Sequence, residues 1–320
     1  MNARSLIPGL AAAGAVTAVA WPLGRLEPLV GAPVLALALG IAVTAWRPPS
    51  AALRPGLGFA GKLVLQAAIV TLGATLSLGR AGSVASSTLP VLLATLAAAF
   101  LVAAVAGRLL GVPTRLRTLI GVGTGICGAS AIAAVSGVVA ATEAEIAYAV
   151  STIFAFNLVA VVLFPPLGHL LGLSQSSFGL WAGTAVNDTS SVVAAAYAYG
   201  PAAGAYAVLV KLTRTVAIVP IVAALALSAR RQVSWLKVVP WFLVWFAAAA
   251  ALDTAGAIPA RLHHPLQQLA VMLITVALGA IGLSTRLAHL RSAGARPLLL
   301  GTLVWVAVAA TSLAVQALTG

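Results

Sequence analysis

The sequence predicts an all-α, polytopic membrane protein with about eleven transmembrane helices, broken helices and inverted repeats, folded as a single transmembrane domain over residues 1–320. Three observations predict it. Hydrophobic residues make up 62% of the chain and charged residues only 7%, whereas a soluble globular chain carries roughly 25% charged residues. So few charges cannot cover a 320-residue protein in water, and lipid must cover it instead. A transmembrane helix needs about 20 mostly apolar residues, and such stretches follow one another almost end to end. Finally, the sparse basic residues alternate between connecting segments as the positive-inside rule requires.

The apolar segments lie near residues 5–22, 28–45, 57–78, 86–106, 115–140, 144–167, 175–199, 202–228, 238–253, 265–284 and 297–317. The first has features of a signal peptide: Arg4, an apolar run from Leu6 to Ala20, and Ala18-Val19-Ala20 as a passable cleavage site. The ten segments that follow favour a first transmembrane helix.

The connecting segments test this division. With a cytoplasmic N-terminus, the inside segments hold Arg4; Arg47, Arg54 and Lys62; Arg108, Arg115 and Arg117; Arg230, Arg231 and Lys237; and Arg286, Arg291 and Arg296. The outside segments hold Arg25, Arg80 and Arg261, while Lys211 and Arg214 fall within a span. That bias supports eleven spans with a periplasmic or extracellular C-terminus. It also accounts for the balance of 18 Lys and Arg against 5 Asp and Glu. A nucleic-acid partner is excluded, because the basic residues sit singly or in pairs rather than as a patch. The single cysteine, Cys127, excludes an internal disulfide and a cysteine-rich metal site. Thirty glycines and abundant alanine favour closely packed helices.

Two pairs of segments resemble each other. Leu72-Gly73-Ala74 through Arg80 matches Leu278-Gly279-Ala280 through Arg286, and the likeness continues from Pro90–Leu96 to Pro297–Leu303. In the eleven-span arrangement these copies run in opposite directions, the signature of many secondary transporters. Gly107-Arg108-Leu109-Leu110-Gly111 matches Gly168-His169-Leu170-Leu171-Gly172, extending without a gap to Ser130 against Ser191. These copies run in the same direction unless a re-entrant segment near Pro165-Pro166 flips the second, and chance similarity in Ala/Leu/Gly-rich sequence is the other reading.

Three constellations carry the chemistry. Gly121, Gly123, Gly125 and Gly128 crowd the middle of one span, at roughly 1 kcal/mol each relative to alanine in a helix. They predict a break, with the half-helix that starts near Gly128 pointing its N-terminus into the membrane, where its N–H groups attract anions. Asn187-Asp188-Thr189-Ser190-Ser191 is a polar run of N-cap residues at mid-membrane depth, and it predicts a second break. Asp188 is an ionisable group within the membrane, able to carry a proton or coordinate Na⁺. Lys211 and Arg214, three residues apart, share roughly one helix face near the midplane. One of them could pair with Asp188, which leaves a surplus cation for an anion. The expected substrate-binding residues are therefore Thr124, Gly125, Cys127, Gly128, Ser130, Asn187, Thr189, Ser190, Ser191, Lys211 and Arg214, with Asp188 coupling transport to an ion. Glu143 and Glu145 at the outer mouth and the pair His263-His264 read as solvated groups. With no nucleotide-binding loop and no His-Glu-x-x-His motif, energy comes from an ion or substrate gradient unless a partner chain supplies ATP hydrolysis, and neither a cofactor nor a metal is expected beyond a coupling Na⁺ or H⁺.

The runs Gly125-Ile126-Cys127-Gly128-Ala129-Ser130-Ala131-Ile132-Ala133-Ala134, Phe178 through Ala195, and Ala280-Ile281-Gly282-Leu283-Ser284-Thr285 resemble the hallmark sequences of the YeiH-like sulfate exporter family. The resemblance covers residues 30–317 and implies a multi-pass protein of the bacterial inner membrane with about ten or eleven helices. Many members carry His where this chain has Asn187, which shifts any proton role here to Asp188. The resulting expectation is a secondary active transporter, an exporter and not an enzyme, of a small oxyanion such as sulfate, sulfite or an organosulfonate. Its partners are the anionic substrate, the lipid bilayer and, as an open option, a second copy in a homodimer. A cation/proton antiporter and an ion channel are the alternatives.

Overall fold

The computed structural model describes residues 3–26, 31–230, 238–285 and 294–319, and these are helical with short connections. The helices are α1 (Ala3–Leu26), α2 (Gly31–Trp46), α3 (Arg54–Phe59), α4 (Leu65–Gly73), α5 (Leu78–Leu109), α6 (Thr114–Gly125), α7 (Ala129–Ser136) and α8 (Glu143–Leu170). Then follow α9 (Gln175–Ala185), α10 (Thr189–Tyr199), α11 (Pro201–Val216), α12 (Ile218–Ala229), α13 (Trp241–Thr254), α14 (His263–Ser284) and α15 (Ala295–Thr319). A π-helical turn, Ala60–Val64, joins α3 to α4.

Helix occupies each of the eleven apolar segments. Among the described residues seven helical stretches are long and apolar enough to cross a membrane, and α2 and α13 are shorter apolar helices. The two remaining segments are the broken pairs α6–α7 and α9–α10. This is a polytopic membrane protein. On α5, Leu89, Leu93, Leu101 and Val105 recur at multiples of four and are each about half exposed or more, an apolar stripe that a soluble fold would bury and lipid can cover. Arg231, Lys237, Arg286 and Arg291, which the charge count uses, lie outside the described residues.

The chain forms two compact units. One comprises Met1–Ser83, Val193–Ala205 and Trp241–Arg286; the other comprises Val84–Val192, Tyr206–Pro240 and Leu287–Gly320. In the first unit α2 packs along α14, where small residues let the backbones meet. A Cβ at Gly40 would lie 2.7 Å from the Gly279 carbonyl oxygen, and Thr44 donates from its hydroxyl to the Leu283 carbonyl at 2.8 Å. The sequence repeat here is only partly matched in structure, since α4 ends at Gly73 while α14 runs through Gly279 to Ser284.

In the second unit α15 packs against α6, α8 and α9. Phe164 stacks on Trp181 with ring centroids 4.1 Å apart and on Trp305 at 5.6 Å. The Thr184 and Ser312 hydroxyls meet at 2.7 Å. The helix α8 runs without interruption through Pro165 and Pro166, so the chain does not turn back at the prolines. It turns at the first break instead. The Ile132 Cδ1 lies 2.9 Å from where a Gly123 Cβ would stand, whereas nine residues of straight helix would separate them by about 13 Å. The helix α7 therefore doubles back beside α6, a reversal that allows the two similar copies to run in opposite directions.

Candidate functional site

Both predicted breaks are present. After α6 the chain leaves the helix at Ile126, and Gly128 adopts φ 69°, ψ −134° before α7 begins, a conformation open essentially to glycine alone. After α9 the backbone turns extended at Val186, and α10 begins at Thr189. The two breaks meet: a Cβ on Gly128 would sit 3.2 Å from the Asp188 Cβ.

A helix that stops inside a membrane protein leaves its last carbonyls without partners, and each must find a donor. Three side chains supply six. Arg214 donates from Nε to the Gly125 carbonyl at 2.6 Å, from one terminal nitrogen to Thr124 at 2.6 Å and from the other to Thr184. Lys211 donates from Nζ to Ile126 at 3.0 Å and to Val186 at 2.9 Å. The indole of Trp305 donates to Ala185 at 3.1 Å. The carbonyls of 124, 125 and 126 are thus matched by those of 184, 185 and 186. The structural register of the duplicated breaks is sixty residues, one fewer than the gapless sequence match that paired Ser130 with Ser191.

This arrangement revises the predicted roles of the cations. Lys211 and Arg214, at 0% and 2% exposure, spend donors on backbone carbonyls, where they also oppose the negative ends of two helix dipoles. Neither pairs with Asp188; among the described residues the ion pair is His263–Asp253. The Asp188 carboxylate caps α10. Its Oδ1 accepts from the Ser190 amide at 2.8 Å, the Ser191 amide at 3.1 Å and the Ser190 hydroxyl, and its Oδ2 accepts from the Ser191 hydroxyl at 2.6 Å. The N-terminus of α10 thus carries its own anion. The N-terminus of α7 differs, because Ala129 and Ser130 are exposed. The Ser130 hydroxyl donates to the Cys127 carbonyl at 2.9 Å and lies 3.0 Å from the Cys127 Sγ, which is buried. Thr189 opens α10.

Two buried side chains at the breaks stand apart. The Asn187 side chain is fully buried, with neither Oδ1 nor Nδ2 hydrogen-bonded among the described residues, and the fully buried Thr124 hydroxyl is likewise without a partner among them. The backbone around Asn187 is held firmly, since the Asn157 Oδ1 on α8 accepts from the Asn187 amide at 3.1 Å and the Asp188 amide at 3.3 Å.

Sequence reasoning missed Asn157 and Trp305. A lone carboxamide in the apolar run Ile153–Val162 was a usable signal for the first; a tryptophan on a lipid-length helix gives none for the second. Glu145, read as solvated, belongs to a capping box: its Oε2 accepts from the Thr142 amide at 2.8 Å, and the Thr142 hydroxyl accepts from the Glu145 amide at 3.3 Å. His263, also read as solvated, lies 2.6 Å from Asp253.

A family model described as Conserved hypothetical protein 698 matches residues 8–301. The chain belongs to this family. Among its relatives, the UPF0324 membrane protein SAG1125 of Streptococcus agalactiae is 39% identical, the match covering 99% of this chain and 98% of that one. The UPF0324 membrane protein M6_Spy0799 of Streptococcus pyogenes is 40% identical over 97% and 96%, and spr0034 of Streptococcus pneumoniae is 40% identical over 98% and 97%. No solved structure matches.

Proposed function

We propose that this family member is a secondary carrier, and not an enzyme, that moves a small oxyanion by alternating access, with the anion bound at the N-terminus of α7 and Asp188 coupling its movement to H⁺ or Na⁺. One observation carries the reading: two broken helices meet, Gly128 against Asp188, and two buried cations hold the carbonyls of both breaks. Broken helices that converge within a bundle are how many secondary transporters build a substrate site. The cations act through their field rather than as ligands, because their donors hold carbonyls. The resemblance to the YeiH-like sulfate exporters agrees with an oxyanion substrate and with the bacterial inner membrane. A cation/proton exchanger, the second reading, would rest on Asp188 alone and leave the exposed N-terminus of α7 without a role; that favours the anion reading.

The test is uptake of labelled sulfite, sulfate and organosulfonates into proteoliposomes, with and without Na⁺ and proton gradients. Saturable flux of one of them is expected, slowed at least about tenfold in Lys211→Ala, a barrier increase of about 1.4 kcal/mol. Gradient dependence should vanish in Asp188→Asn. If both variants transport at wild-type rates, the mechanism is wrong; unsaturable, electrically measured currents would indicate a channel.

A further inference from the structure

The unpartnered groups at the breaks restrict what the anion can be. Buried polar side chains are almost always hydrogen-bonded, and a buried orphan destabilises the state that holds it. Asn187 is such an orphan twice over. Its Nδ2 is a donor and its Oδ1 an acceptor, both fully buried and both without a partner among the described residues. The backbone beneath it is held by Asn157. The Thr124 hydroxyl, which can donate or accept, is a third orphan, in the last turn of α6. The two breaks share the Lys211 ammonium, which binds Ile126 on one and Val186 on the other.

We propose, resting on the carrier reading above, that Asn187 and Thr124 are ligand contacts, and that the ligand is a singly charged oxyanion that keeps at least one acidic O–H, such as hydrogen sulfite or dihydrogen phosphate. An oxygen of the ligand accepts from Nδ2, and its O–H donates to Oδ1. A fully deprotonated dianion such as sulfate has no donor, so its lone pairs would face those of Oδ1 and leave that oxygen unpaired. Sites built to bond a substrate hydroxyl reject analogues without it strongly, for this reason. The charge agrees independently. With Asp188 ionised and no coupling ion bound, Lys211 and Arg214 leave one formal positive charge, which a monoanion balances and a dianion exceeds. Because Asn187 and Thr124 are fully buried, these contacts form in an enclosed state that a substrate enters by motion of the protein.

The test is binding to the purified full-length protein, read as thermal stabilisation at slightly acidic pH. The probes are hydrogen sulfite, dihydrogen phosphate, sulfate, and methanesulfonate, a monoanion without an O–H. At least one of the first two should bind about tenfold or more tighter than sulfate and methanesulfonate, a difference of about 1.4 kcal/mol. In Asn187→Leu, an apolar near-isostere, that preference should disappear while the unliganded protein melts no lower than the wild type, since the orphan is gone. Thr124→Val is the second variant, should the first not fold, and should weaken the same ligand. Sulfate or methanesulfonate binding as well as the protonated anions, or Asn187→Leu keeping the preference, overturns the inference and leaves the oxyanion carrier standing. Binding of no oxyanion at all overturns the carrier reading itself.

Discussion

Arg214 gives the sharpest test of how the breaks are held. Its guanidinium donates to Gly125, Thr124 and Thr184, at 2.6 Å for the first two, and it is 2% exposed. Arg214→Met keeps the apolar stem and removes three charge-assisted bonds. Each hydrogen bond to a charged group contributes about 1.5–3 kcal/mol in soluble proteins, but interhelical bonds measured in a membrane protein average only about 0.6 kcal/mol, because the unfolded chain in lipid also finds partners. The loss should therefore lie between about 2 and 9 kcal/mol. Against a total stability of about 5–15 kcal/mol, even the lower bound is visible. Arg214→Lys should recover only part, since an ammonium carries its donors on one nitrogen and cannot reach the three separated carbonyls that the planar guanidinium spans. The assay is thermal unfolding of detergent-purified protein followed by size-exclusion chromatography. A loss under about 1 kcal/mol in Arg214→Met would refute the claim that this side chain closes both helix ends.

Other substitutions test the surrounding parts. Gly128→Ala places a Cβ 3.2 Å from the Asp188 Cβ on a backbone of φ 69°, so a cost of about 1–3 kcal/mol and slowed transport are expected; unchanged melting would show that the break tolerates a side chain. Asn157→Leu strips two backbone amides of their acceptor and should lower stability by about 1–3 kcal/mol, read in the same thermal assay. His263→Ala removes the pairing with Asp253, whose two partners are 36% and 9% exposed; it should speed proteolysis of the 254–262 turn, cost no more than about 1 kcal/mol and leave transport unaltered.

The class of the protein and the positions of both breaks were legible because their signals are local. Composition reports lipid directly, and a run of glycines or of N-cap residues marks a helix end wherever it falls. The unusual status of Lys211 and Arg214 was legible too, but what they bind was not. Their partners are main-chain carbonyls, which every residue has, so no sequence pattern announces them. The capping role of Asp188 was among the readings of its own segment, whereas a pairing with a cation some twenty residues on had only charge to recommend it. The reversal between α6 and α7 was hidden for a related reason. A continuous apolar segment of suitable length looks the same whether it crosses once or folds back, and only the contact of Ile132 with Gly123 distinguishes the two.

The location of the surplus charge follows from the helix ends. Each full helix terminus carries about half an elementary charge, negative at the C-terminal end and positive at the N-terminal end. The C-terminal ends of α6 and α9 are met by Lys211 and Arg214. The N-terminal end of α10 is met by the Asp188 carboxylate. The N-terminal end of α7 stands at the same register, with Gly128 where α10 has Asp188, and glycine brings no carboxylate. The unbalanced positive potential therefore gathers beside the exposed Ala129 and Ser130. Ala129→Asp would supply the missing anion from the chain itself. Since Ala129 is exposed, no packing is lost, and stability should hold or rise by about 0.3–1 kcal/mol. Oxyanion binding should fall at least about tenfold, a loss of about 1.4 kcal/mol. If Ala129→Asp binds oxyanions as the wild type does, the anion is held elsewhere and the N-terminus of α7 is only a helix end.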